Sequence, residues 1–286
     1  MLKNTFCHIP HVGTLTEKRL WSAGLCDWDA FRAAASPPLS PVRAEFVARH
    51  IDESARHLEN ENPAFFYQRL AARHHWRLFQ DFCPWTAYLD IETTGLGSPG
   101  DHVTTIALYD GRSVHAYVHG RNLDDFADDV RNYRLLVTYN GKQFDLPFLR
   151  NFLGVRLDQA HIDLRFLLAS LGYRGGLKGC ERKLGLSRGD LEGVDGYFAV
   201  LLWQDYQRRA NPAALETLLA YNVEDVVNLE TLMVLAYNMK LKETPFAAAP
   251  PRPGGPHLLP MPVRPDRVFK PDPDTIRRIR REHYFF

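Results

Sequence analysis

The stretch YLDIETTGL, residues 88–96, sets two acidic residues, Asp90 and Glu92, two apart at the end of an apolar and aromatic run. Alternate residues of a strand face the same side, so a strand here projects both carboxylates from one face. A carboxylate left unpaired in such a run costs roughly several kcal/mol, which calls for a cation beside it. Two later segments extend the pattern. TYNGKQFDLPFL, residues 138–149, carries Asp145, and YNVEDVVNL, residues 221–229, carries Tyr221 and Asp225. Tyr221 and Asp225 stand i, i+4 in a helical stretch and share a face. Four gathered carboxylates raise one another's pKa values unless a cation neutralises them. Oxygen donors without His or paired Cys point to a hard metal, Mg²⁺ or Mn²⁺. A lone D-x-E is common on solvated strands, and a lone tyrosine on an amphipathic helix is most often core. The ordered set of three segments is what makes these five residues a candidate site.

Length and composition frame that reading. The 286 residues suffice for one substantial domain with appendages, and 45% hydrophobic with 24% charged residues is ordinary globular usage. The formal charge of +1 leaves room for a basic groove under a balanced total. No apolar run reaches bilayer-spanning length, so a cytoplasmic protein with no membrane partner is expected. Cys7, Cys26, Cys83 and Cys180 form no C-x-x-C pair, which argues against a zinc site and a disulfide framework.

Three regions follow one another. Residues 1–81 read as helical. Within them, residues 6–25 show a turn at 10–13, then Thr14 and Glu17 spaced as a capping box, then a short helix stopped by Gly24. SPPLSP, residues 36–41, is a linker or turn. Asn62-Pro63 starts another helix expected to run toward Phe82. The middle region, 85–244, alternates types as an α/β domain does. Strands are expected at 87–91, 103–109, 114–118, 135–139 and around Ile162. Helices are expected at 123–133, 146–152, 164–171, 177–184, 197–209 and 213–240. LGYRGGLKG, residues 171–179, is a basic Gly-rich loop with Arg174 and Lys178. Residues 245–286 read as a Pro-rich tail, extended, poorly ordered or draped on the surface. It ends in TIRRIRREHYFF, a basic cluster with three aromatics suited either to single strands or to docking as a short helix.

On the motifs Asp90-x-Glu92, Asn140 to Asp145 and Tyr221-x-x-x-Asp225, the chain resembles a DEDD-type 3′-5′ exonuclease with a ribonuclease H-like fold. It resembles the tyrosine-bearing branch, and within it the YprB-like exonucleases, over roughly residues 85–241. The histidine branch would carry His five residues before the last Asp, where this chain has Ala220. The resemblance implies a mixed five-stranded sheet flanked by helices, with the first strand central. It also implies two-metal hydrolysis of single-stranded nucleic acid at a 3′ end, DNA more than RNA. Asp90 would bridge two Mg²⁺ or Mn²⁺ ions, Glu92 and Asp225 would complete one, and Asp145 would hold the other. Tyr221 would orient or deprotonate the attacking water, and Leu96 and Asn140 would contact the terminal nucleotide. Residues 6–25 look similar to part of a helix-hairpin-helix motif, which holds a DNA phosphate at a helix N-terminus, although His11 replaces the usual first glycine. Two alternatives remain: a nucleic-acid-binding scaffold with an inactive nuclease fold, and a structure-selective endonuclease.

Overall fold

A computed structural model describes residues 1–247 and 254–284, the last of these by its backbone alone. The chain enters through a 3-10 turn, Leu2–Asn4, and helices α1 (Thr14–Ser22), α2 (Trp28–Ala33), α3 (Pro41–Glu59), α4 (Pro63–Arg69) and α5 (Phe79–Phe82). Pro41 and Pro63 occupy first helical positions, where the missing N–H has no intrahelical partner to lose. Asn62 and Asp27 cap α4 and α2 with their side chains.

Three local expectations are corrected. Thr14 and Glu17 form no capping box: Gly13 precedes α1 without a side-chain cap. Glu17 is buried instead, accepts from the backbone N–H groups of Phe6 and Cys7, and pairs with Arg77 at 2.8 Å. The helix from Pro63 stops at Arg69, because Leu70 turns extended and the chain continues as a 3-10 turn, Ala72–Leu78. His75 Nε2 sits 3.1 and 3.0 Å from the carbonyls of Tyr67 and Leu70, so a side chain serves the helix end. Residues 123–133 break into 3-10 turns Leu123–Asp125 and Val130–Asn132 around a single turn of helix, α6 (Phe126–Asp129). Asp124 with Asp128, and Asp125 with Asp129, would repel at i, i+4 in a regular helix.

The sheet has five strands, β1 (Thr86–Thr93), β2 (Val103–Tyr109), β3 (Val114–Val118), β4 (Leu135–Thr138) and β5 (Ala160–Asp163), ordered β3-β2-β1-β4-β5. β1 is central, antiparallel to β2 and parallel to β4. β2 pairs antiparallel with β3, and β4 parallel with β5, which completes a mixed sheet. Helices α7 (Asp145–Leu153), α8 (Leu164–Ser170), α9 (Gly176–Lys183), α10 (Gly196–Arg209) and the 31-residue α11 (Pro212–Lys242) flank it. This is the α/β architecture expected, with each of the six helices starting or ending within a few residues of the sequence reading except 123–133.

One hydrophobic cluster joins Met1, Phe6, Trp28 and Phe66 of the N-terminal helices to Tyr88, Ala107 and Val137 of the sheet and to α11. The Met1 ammonium pairs with Asp81 at 2.8 Å, so the first residue is buried and tied. The opposite sheet face packs Leu89, Ile91 and Leu108 against Phe126, Leu146 and Leu149. The tail drapes along α11: Leu259 exchanges backbone bonds with the Asn238 side chain, Arg264 reaches Asn228 and Glu224, and the Asp272 N–H donates to Thr217. It ends in α12 (Pro273–Tyr284), whose Ile276 and Ile279 enter the α10–α11 cluster. The expected aromatic end, Phe285 and Phe286 with the Tyr284 side chain, lies outside the described residues.

Candidate active site

The central strand carries Asp90 opposite Ala107 and Glu92 opposite Thr105, with a register shift just after Glu92. The helix α11 lies over β1 and β2 and presents Tyr221, Asn222 and Asp225 to the same spot. One carboxylate oxygen from each of Asp90, Glu92 and Asp225 lies within 4.8 Å of the others. Asp145, first residue of α7, lines the same cavity of about 340 Å³ but stands outside that closest trio. Tyr221 and Asn140 also line this cavity. Leu96 does not: it is 92% exposed in the loop after β1.

The acids are held by neutral donors and two cations. Asn222 Nδ2 donates to Asp90 Oδ2 at 2.7 Å, and Thr105 donates to Asn222 Oδ1 at 3.0 Å, so a chain from β2 orients Asp90. Arg188 donates twice to Glu181 at 2.7 Å and also to Asp225. Asn228 donates to Glu181 at 2.9 Å and accepts from Arg264, which links this buried pair to the tail. Lys178, in the first turn of α9, donates to the Tyr221 hydroxyl and lies 4.5 Å from its ring centroid. The basic loop expected at 171–179 thus aims Lys178 into the site.

Burial pushes the Asp90 and Glu92 carboxyls well above the usual range, and the neighbouring carboxylates, Asp225 first, add to it. Burial also raises Asp225, against the pull of Arg188 and Lys178. Asp145 is pushed up to about 7 by burial, although backbone N–H groups at Asp145 and Ile91 oppose the rise. The Tyr221 phenol is lifted well above 10, by burial and then by Asp225 and Glu92. A buried, mutually repelling, oxygen-only set fits hard divalent ions, whose charge relieves the repulsion.

The loop between β4 and α7 is fixed by Asp163, whose carboxylate accepts from the backbone N–H groups of Asn140 and Lys142 at 2.8 and 3.1 Å. Asn140 has φ +67°, a conformation asparagine tolerates better than most side chains. A Cβ on Gly141 would fall 2.2 Å from Thr138 Oγ1, so only glycine fits there. Arg165 donates to the Asn140 and Gln143 side chains. Sequence reasoning missed Asn222, Arg188, Glu181 and Arg165. Asn222 adjoins Tyr221 and was open to notice. Arg188 lies 37 positions from Asp225 with no local sign of the pairing.

Elsewhere, the 10–13 turn puts His11 at φ +63°, a glycine-like value, and leaves the first turn of α1 without a side-chain cap. In the tail, Arg278 pairs with Asp205, Arg277 with Asp274, and Arg280 donates to the Glu192 carbonyl. Of these, Arg278 and Arg280 dock α12 onto the domain. No helix of the described residues is long and apolar enough to cross a membrane, and all four cysteines are free.

A sequence model described as the RNase_H superfamily matches residues 87–237, more than half of the chain. No curated protein matches it in sequence. Among solved structures, Brucella melitensis NrnC with bound Mg²⁺ is 20% identical with a TM-score of 0.40, over 58% of this chain and 77% of that one. The Aedes aegypti Nibbler EXO domain is 15% identical with a TM-score of 0.38, over 59% and 84%. The family B DNA polymerase of the hyperthermophilic archaeon Pyrobaculum calidifontis is 17% identical with a TM-score of 0.40, over 55% of this chain and 29% of the polymerase. The chain thus spans less than a third of that polymerase.

Proposed function

Because the chain belongs to the ribonuclease H superfamily, we propose that it is a metal-dependent 3′-5′ exonuclease of the tyrosine-bearing DEDD branch. Its substrate is single-stranded nucleic acid, DNA in preference to RNA. The observation that carries this reading is the meeting of Asp90, Glu92 and Asp225 within 4.8 Å, in one cavity with Asp145 and Tyr221. The four acids would hold two Mg²⁺ or Mn²⁺ ions, with Asp90 shared between them and Asp145 on the second. When bound, such ions polarise the scissile phosphate and lower the pKa of the attacking water.

The chain's own residues supply orientation. Lys178 occupies a lone pair of the Tyr221 oxygen, which leaves the phenolic proton free to donate to the water or to a phosphate oxygen. A phenol is already neutral near pH 7 at its ordinary pKa of about 10, and burial disfavours its charged form further, so Tyr221 acts as an orienting donor rather than a base. Asn222 and Thr105 set Asp90, and Arg188 sets Asp225. Asn140, which lines the cavity, and Leu96, on the exposed loop after β1, take the terminal nucleotide. Residues 85–244 carry catalysis. The hairpin within 1–81 holds a DNA phosphate at the start of α1, and the tail from Leu259 to Asp272 lies over α11.

End-labelled single strands of DNA and RNA, incubated with Mg²⁺ or Mn²⁺ and resolved by length, test the reading. A ladder shortening from the 3′ end, with circular strands resistant, is expected. Equal cutting of circular strands would overturn the exonuclease reading, and no product from folded protein with either metal would overturn the nuclease reading altogether.

A further inference from the structure

A second cavity, of about 520 Å³ and mostly apolar lining, lies on the other side of the loop that bears Asn140. It is walled by Tyr67 and Trp76 from the N-terminal region and by His161 and Phe166 from β5 and α8. Its volume is in the range of small-molecule sites, roughly 300–1,000 Å³. Phe166 is 50% exposed, an unusual degree for a phenylalanine beside a ready-made apolar cavity. Arg73 and Lys142 are exposed on the lining, and neither pairs with a carboxylate among the described residues.

The wall between the two cavities is a short, braced segment. Asn140 lines the catalytic cavity, while Lys142 and Gln143 line the second. The Asp163 carboxylate binds the backbone on both sides of Gly141, and the Arg165 guanidinium ties the Asn140 and Gln143 side chains together. Asn140 and Lys142 are two residues apart, at most about 7 Å along the backbone, so the two cavities adjoin and a strand whose end occupies one can continue into the other. Exposed aromatic faces beside unpaired cations are the means by which proteins hold single strands without sequence preference, by stacking and phosphate contact.

We propose that this cavity is a second nucleotide subsite. It takes the base next to the terminal nucleotide, stacked on Phe166, with Arg73 and Lys142 meeting the flanking phosphates. The subsite rests on the nuclease reading of the neighbouring acids. It also gives the N-terminal helices a share in substrate binding, because Tyr67, Arg73 and Trp76 come from that region.

The test uses the full chain with Ca²⁺, a labelled dodecamer of DNA or RNA, and 5-iodouracil placed at single positions from the 3′ end. Photo-crosslinking from the penultimate position into peptides containing Phe166, Tyr67 or Trp76 is expected, with loss of that crosslink when iodouracil is moved to the 5′ half. Phe166→Ala should weaken binding about tenfold, the size of one lost base stack. Lys142→Glu, on an exposed loop position, should weaken it at low salt and flatten the salt dependence. Wild-type affinity in both variants together with crosslinks outside these peptides would overturn the subsite while leaving the exonuclease reading intact. Absence of any strand binding by the wild-type protein would overturn both.

Discussion

Replacing Asp90 with asparagine should stabilise the metal-free protein while removing its response to metal. Three carboxylate oxygens meet within 4.8 Å. Each ionised pair at that distance costs about 3.5 kcal/mol at an effective dielectric constant of about 20. The protein escapes part of this by taking up protons, as the raised Asp90 and Glu92 carboxyls indicate, and part through Arg188 and Lys178. The strain that remains is a fraction of that pair energy, about 1–3 kcal/mol. The substituted amide keeps an oxygen able to accept from Asn222, so Asp90→Asn removes the charge without stranding its donor. For a chain of this size that is a rise in Tm of about 2–10 °C in EDTA. The sign of the pH dependence follows from the same groups. Asp145 is raised to about 7 from an ordinary 3.8, so the folded state holds the extra proton between those values. The Asp145 contribution to metal-free stability is therefore greatest below about pH 4, falls as pH rises toward 7, and levels off above it, opposite in sign to the contribution of the buried histidines. Wild-type protein in Mg²⁺ or Mn²⁺ should recover about 3 kcal/mol at a hundredfold excess over Kd, and the variant should recover little. Differential scanning fluorimetry in EDTA and in metal, from pH 4 to 9, measures all of this. A lower Tm for Asp90→Asn in EDTA, or a wild-type Tm that ignores both metals, would refute the reasoning.

Tyr221→Phe keeps the ring against Lys178 and Arg188 but deletes the oxygen to which Lys178 donates, so kcat should fall by about 10²- to 10⁴-fold with Tm nearly unchanged; near-normal turnover would make Tyr221 a packing residue. Arg188→Met should cost about 3–5 kcal/mol, read as a lowered urea midpoint, because it leaves Glu181 buried beside Asp225 without its cation. Burial pushes His8 and His161 down to about 3, so both must take up protons on unfolding in acid. Stability of the metal-loaded protein should be intact above about pH 6.5 and fall toward pH 3 by up to about 2.7 kcal/mol per unit, and His8→Gln should remove roughly half of that slope.

The sheet and the gathering of the four acids around one cavity were legible because each rests on local chemistry. Alternation fixes which side Asp90 and Glu92 face, Asn-Pro pairs mark where α4 and α11 begin, and an i, i+4 step joins Tyr221 to Asp225 whatever the rest of the chain does. What was not legible depends on contacts between distant residues. Glu17 has the spacing of a capping residue, and the same carboxylate instead serves Phe6, Cys7 and Arg77, the last 60 positions away. A buried charge gains more from a guanidinium and two backbone donors than an exposed cap contributes, so the tertiary partner overrides the local motif. The same cluster places Met1, Phe6, Trp21 and Trp28 in the core, so the N-terminal segment is part of the folded unit and not an appendage beside it.

Long-range contacts also decide how Asp225 is held. A carboxylate on a long helix can be placed by sequence spacing alone only to within the rotamers of its side chain. Arg188 narrows that choice, itself clamped by Glu181, which Asn228 contacts from one turn further along α11. Arg264 then binds Asn228 and Glu224 from the tail, so a segment that reads in sequence as a Pro-rich tail braces the helix face that bears Asp225. Arg264→Ala tests this coupling. It removes no group from the cavity lined by Asp90, Glu92, Asp145 and Asp225, yet it should strip Glu224 of its cation and loosen Asn228 and Glu181 behind Asp225. Weaker metal affinity, read as a higher metal concentration for half-maximal Tm gain, is the expected result. An unchanged metal midpoint would show that the tail only covers α11 and that Arg188 and Glu181 hold Asp225 unaided.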